Sequence, residues 1–131
     1  MSDETTDQPV AAPQYERTPN FISTYANNAY FESSAWDLKI VFGQLDQPIG
    51  GSAIIKQHMA VTVPWAQAKL ALYYLRLHVE ANEIYNGKIS IREDLLPAEP
   101  PPLTPEQETD LGAKRLHELM RKLRAEFIAS L

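Results

Sequence analysis

The sequence predicts an α+β unit: a three-stranded antiparallel meander followed by a long packed helix, then a proline-rich spacer and a C-terminal amphipathic helix. Three observations carry this. Segments between residues 25 and 63 alternate apolar and polar residues with the period of a strand. Val63-Pro64 then opens a stretch of helical period that runs to Tyr85. Beyond it, Leu96 to Pro105 holds five of the ten prolines and precedes a second helical stretch.

Taken in order, residues 1–20 are polar, acidic and broken by prolines, with no period that could bury one face, and are expected to form a disordered tail. From Tyr25 to Ser33, Tyr25, Asn27, Ala29, Phe31 and Ser33 alternate with Asn28, Tyr30 and Glu32. Ser33-Ser34-Ala35 should turn the chain. Trp36, Leu38, Ile40 and Phe42 then alternate with Asp37, Lys39 and Val41, the pattern of a half-buried strand, which Gly43 is expected to end. Leu45 to Ser52 has the Pro and Gly content of a hairpin loop. The third strand, Ala53 to Val63, sets Ile55, Met59, Val61 and Val63 against Lys56, His58 and Thr62. Loops this short imply a meander.

Pro64 suits a first helical residue, because its fixed φ fits and its missing N–H would have no helical partner there. The helix should run to Tyr85 and stop at Asn86-Gly87 with a left-handed C-cap. Projected at about 100° per residue, it carries two apolar bands. One is Ala66, Leu70, Tyr73, Leu77, Ala81 and Ile84; the other is Ala68, Leu72, Leu75 and Val79; Lys69, Arg76, Glu80 and Glu83 lie between. A small sheet can cover one band, so the second needs another partner. Lys88-Ile89-Ser90-Ile91 is a candidate fourth strand. The prolines that follow read as a semi-rigid spacer rather than a ligand for a proline-binding module. Thr104-Pro105-Glu106-Gln107 has the form of a capping box, and the helix expected over 105–129 places Asp110, Lys114, Glu118, Lys122 and Glu126 in an (i, i+4) ladder. Ala113, Leu116, Met120, Leu123 and Phe127 form a seam with 3-4 spacing, joined by Leu119 and Leu131. The chain thus divides into a tail (1–20), a β-β-β-α core (21–92), a spacer (93–104) and a docking helix (105–131).

The formal charge of -5 argues against a general nucleic-acid or anionic-membrane surface, and the absence of cysteine narrows the chemistry further. Nucleic acid and anionic membrane need clustered Lys and Arg. Disulfides, thiol nucleophiles and Cys-bound metals are ruled out, which fits a reducing, cytoplasmic setting. The longest apolar run, Leu70 to Leu75, is too short to span a bilayer. His58, His78 and His117 form no pair with metal spacing, and His78 with Asn82 and Glu83 is the nearest thing to a cluster. Asp37 is best explained as a turn or strand-end carboxylate bonded to backbone N–H groups. No serine sits in a nucleophile elbow, and Gly50-Gly51 lacks the Lys-Ser/Thr of a phosphate loop. Trp65, Tyr73 and Tyr74 could stack on a ligand, but aromatics at helical spacing more often serve packing.

Tyr25-Ala26-Asn27-Asn28, Trp36 to Gln44, and Val61 to Lys69 together resemble domain-of-unknown-function family thirty-four sixty-seven, a family of small bacterial proteins. The likeness covers Tyr25 to Ile91, with Tyr85-Asn86-Gly87-Lys88-Ile89 standing where the family has Phe-Gly-x-Ile. Val63 and Trp65 depart from the usual helix entry, and the C-terminal helix looks like an extension. The resemblance implies the fold and a bacterial source; it brings no catalytic residue.

The expectation for function is a non-enzymatic interaction or adaptor protein acting as a homo-oligomer, a dimer above all, without cofactor or metal. Its interface would comprise Leu72, Leu75, Val79, Leu116, Met120, Leu123 and Phe127, the α-helical band and the C-terminal seam burying one another within or between chains. The C-terminal helix could also take another protein. Two alternatives stand beside this: a chaperone-like binder of extended or unfolded polypeptide, and a small enzyme or nucleic-acid binder using Lys69 and Arg76 or His78.

Overall fold

The computed structural model describes residues 11–46 and 53–131. The expected tail segment 1–10 and most of the expected loop, 47–52, lie outside the described residues. The chain divides into two compact units, residues 1–65 and 66–131.

In the first unit, residues 11–27 carry no helix or strand. Arg17 sits over the Phe21 ring at 4.6 Å, and the Phe21 N–H donates to the Thr18 carbonyl at 3.0 Å. The sheet follows as three antiparallel strands in the order β1-β2-β3: β1 Asn28–Ser33, β2 Asp37–Asp46 and β3 Ile54–Pro64. This is the expected meander. The register places Phe31 beside Ile40 and Val61, Leu38 beside Ser33 and Val63, and Phe42 beside Ala29 and Met59. Because side chains alternate along a strand, these residues share one face, and that face is almost wholly apolar.

The first strand begins three residues later than its alternation suggested, and the reason is local. The Asn27 N–H donates to the Gly43 carbonyl at 3.1 Å, while its side-chain oxygen accepts from the Leu45 N–H at 2.7 Å. That amide takes a bond a continuing ladder would have needed. Trp36, expected on the apolar face, instead occupies the turn before β2 and is 84% exposed. Ser34 builds the turn: its Oγ accepts from the N–H groups of Trp36 and Asp37, both at 3.1 Å, and donates to Asp37 Oδ1 at 3.0 Å. The Asp37 carboxylate therefore serves a turn, as expected, although its donor is a hydroxyl rather than a backbone N–H. Trp65 Nε1 donates to the Ser34 carbonyl at 3.0 Å and ties the end of β3 to the same turn.

Gly43 does not end β2, which continues three residues past it. It marks instead a shift of register between Phe42 and Gly43: Phe42 pairs with Met59 but Gly43 pairs with Gln57, leaving His58 as the extra residue of a bulge. Gly43 is the one buried residue among those described. A Cβ there would lie 2.8 Å from the Lys56 carbonyl oxygen, so only glycine lets β3 come this close. Past the bulge Leu45 pairs with Ile55, which puts Ile55 on the opposite face from Met59. The alternation read over 55–63 is thus broken by one inserted residue that leaves no trace in composition.

In the second unit, α1 covers Trp65–Asn86, one residue later at each end than expected, with Pro64 completing β3 opposite Asp37. Its C-cap forms as foreseen. Gly87 has φ 88° and its N–H reaches the Glu83 carbonyl at 3.0 Å, the single-bond left-handed cap. Residues 88–91 form no strand. The Ile89 N–H donates to the Glu83 carboxylate at 3.0 Å, and Lys88 Nζ donates to the Ser130 carbonyl at 2.9 Å. Those groups are engaged in capping rather than in a sheet edge.

After a short 3-10 turn at Glu93–Leu95, the capping box forms: the Gln107 N–H donates to Thr104 Oγ1 at 3.3 Å and the Thr104 N–H to Gln107 Oε1 at 3.0 Å. The helix it starts is brief, however. α2 covers Pro105–Glu108 and α3 covers Leu111–Ala129. The single helix expected over 105–129 divides because Asp110 adopts an extended backbone and becomes a second N-cap, its Oδ1 accepting from Gly112 at 2.9 Å and Ala113 at 3.4 Å. An Asp followed two residues later by Gly offers the backbone an alternative to continuing the helix.

Candidate interaction surfaces

No hydrophobic side chain among the described residues is buried in the single chain. On the sheet's apolar face, Leu38, Ile40, Phe42, Met59 and Val63 are half-buried by their strand neighbours, but Phe31 remains 58% exposed.

Along α1, both apolar bands are open. Leu72 is 67% and Leu75 64% exposed, with Val79 exposed beside them, and Leu70, Tyr73, Leu77 and Ile84 are exposed in the other band. Arg76 Nε meets Glu80 Oε2 at 2.9 Å within the charged stripe, and the rings of Tyr73 and Tyr74 meet edge to face at 5.1 Å. A helix apolar on nearly all sides is normally a buried one.

α3 has one covered flank. The proline segment runs back along it as a strap rather than standing off as a free spacer. Arg124 Nε donates to the Pro97 carbonyl at 2.9 Å, and His117 Nε2 lies 3.1 Å from the Pro101 carbonyl. Arg124 also reaches Glu99 at 3.5 Å. Ala113, His117, Arg124 and Ile128 on the helix are half-buried, as are Ile91, Leu96, Pro100 and Leu103 on the preceding segment. A proline contributes no N–H but keeps its carbonyl, so side-chain donors on α3 supply the bonds a strand ladder cannot. Between strap and helix is an open cleft of about 400 Å³, lined by Pro100, Pro102, His117, Arg121 and Arg124 among others.

The strap lies beside the seam, not over it. Leu116, Met120, Leu123 and Phe127 all remain exposed, as does Leu131. The structure therefore leaves every expected interface residue accessible, and α1 and α3 make at most marginal contact with one another within the chain. The missed element is the strap; its signal was the pairing of helix-borne donors His117 and Arg124 with a run of proline carbonyls.

The histidines stay apart. His58 Nε2 is 3.3 Å from Thr24 Oγ1, His78 lies on α1, and His117 holds the strap. Among the described residues no group of three His, Cys, Asp or Glu side chains is placed to hold a metal ion, and no helix is long and apolar enough to cross a membrane.

Fold and surfaces together define a β-β-β-α protein with an appended strap and helix. A family model described as "Protein of unknown function (DUF3467)" matches residues 1–91, and the chain belongs to that family. No curated protein and no solved structure matches it. The match takes in the sheet, α1 and its Gly87 cap; the proline strap, α2 and α3 lie beyond it. Several residues of the family-like motifs have structural tasks here: Asn27 ends the ladder, Asp37 holds the turn, Gly43 permits the bulge and Gly87 caps α1.

Proposed function

We propose that this is a non-enzymatic protein-interaction or adaptor protein of the bacterial cytoplasm that acts as a homo-oligomer. One observation carries the reading: the single chain buries no hydrophobic side chain among the described residues. Folding stability comes chiefly from removing apolar surface from water, and a chain that gains so little of it alone acquires it by association. The sheet face and the two bands of α1 supply the surface. The seam of α3, outside the family match, is the place for a second protein.

Sedimentation equilibrium tests this, together with thermal unfolding over a hundredfold range of concentration. A homo-oligomer gives a mass above one chain and a melting temperature that rises with concentration. A chain that sediments as a monomer and melts at one temperature throughout that range overturns the proposal.

The sheet favours one second reading. Its apolar face is bordered by β3, an 11-residue edge strand of the kind that accepts an extended peptide by strand addition. A chaperone-like binder would suppress aggregation of an unfolded client protein at stoichiometric amounts; unchanged client aggregation disposes of it.

A further inference from the structure

We infer that α1 is covered by α1 of a second copy, the two helices running antiparallel with Leu72, Leu75 and Val79 as the shared seam. This rests on the homo-oligomer reading and names its interface. Trp65, Ala68, Leu72, Leu75 and Val79 follow one another at intervals of three, four, three and four residues, the spacing by which two helices interlock side chains along a narrow line. The other band, Ala66, Leu70, Tyr73, Leu77, Ala81 and Ile84, breaks that rhythm between Leu77 and Ala81 and leaves a wider strip for a different cover.

Charge selects both the occupant and the direction. α1 carries two basic residues, Lys69 and Arg76, and two acidic ones, Glu80 and Glu83, all flanking the seam on one side. Reversed, the helix sets the basic residue nearest one end against the acidic residue nearest the other, while Arg76 at the middle is already neutralised by Glu80 of its own helix at 2.9 Å. With the two-fold axis beside Leu75 and Arg76, Leu72 faces Val79 of the second copy and Lys69 comes beside Glu83 of the second copy. A parallel pair would turn the two charged stripes to opposite sides of the seam, so that neither Lys69 nor Glu83 gains a partner, and would align the helix dipoles. α3 is a poorer partner for itself: Leu111–Ala129 holds five basic residues against two acidic ones, so two copies repel.

The chain has no cysteine, so single cysteines report the pairing without background. The variants are Ala68→Cys, Arg76→Cys and Glu83→Cys in the full chain, each checked for helix content by circular dichroism and treated with a short bis-maleimide. Arg76→Cys, near the axis, is expected to give a covalent dimer, and so is a mixture of Ala68→Cys with Glu83→Cys. Ala68→Cys alone is expected to stay unlinked, because fifteen residues of helix place the two copies of position 68 about 22 Å apart. Lys69→Glu should weaken the dimer about fivefold, and Lys69→Glu with Glu83→Lys should restore it. Linking of Ala68→Cys alone would mean a parallel pair and overturn the inference. An oligomer by sedimentation with no link in Arg76→Cys or in the mixture overturns the α1 pairing while leaving self-association standing. A monomer overturns both.

Discussion

α1 and α3 are helices of similar length that solve the problem of apolar surface in opposite ways. α1 has four charged residues in 22, confined to one stripe, and its remaining circumference is largely apolar. α3 has seven in 19 and keeps its apolar residues to a seam. The chain gives α3 a cover of its own along one flank, the proline strap held by Arg124 and His117. α1 has no residue buried by the chain it belongs to. Where charges ring a helix, a single extended segment of the same chain can complete it. Where they do not, the cover has to be large and apolar, which points to another subunit.

The sharpest way to break this contrast is to place the same charge on each seam. Leu75→Asp should abolish assembly at micromolar concentration, since an unpaired carboxylate in a desolvated seam costs several kcal/mol. Leu123→Asp should leave the sedimenting mass unchanged and affect only capture of a partner by α3. If the two variants behave alike by sedimentation, the distinction between the helices fails.

A smaller effect is expected at the strap. Arg124→Ala removes the donor to Pro97 and the contact with Glu99, and should destabilise the strap by about 1–2 kcal/mol. Faster amide exchange at Leu103 and Thr104 and earlier proteolysis across 97–103, without change in α1, would register it. Asp110→Ala deletes the second N-cap and should cost about 1 kcal/mol in thermal unfolding. The same change leaves the capping box at Thr104 intact, so α2 should persist. The smallest effect belongs to the Arg76–Glu80 pair, which is solvent-exposed within one helix. Breaking it by Glu80→Ala should change stability by no more than about 0.5 kcal/mol, and less in high salt.

Much of this architecture was legible from residues alone. The strand period of β2, the glycine after Asn86 and the Thr104 capping box depend on neighbours within a few positions, and each appears where its local chemistry places it. The failures share a cause. Gly43 looked like a strand end because glycine commonly is one; only the approach of Lys56 and Gln57 makes it a bulge residue inside a continuing strand. Asp110 looked like one rung of a charged ladder until its backbone turned extended and its carboxylate captured two N–H groups.

The residues alone settle the order of the three strands and α1, the apolar face of the sheet up to the bulge, the two bands of α1 and the seam of α3, because all of these follow from periodicities of two and of 3.6 residues along the chain. Tertiary structure alone decided what lies against what. The inserted residue at His58 turns Ile55 to the other face, and the proline segment lies along α3 through bonds between residues 16 and 27 positions apart. Such choices depend on distances between segments remote in sequence, and a periodic pattern carries no record of them.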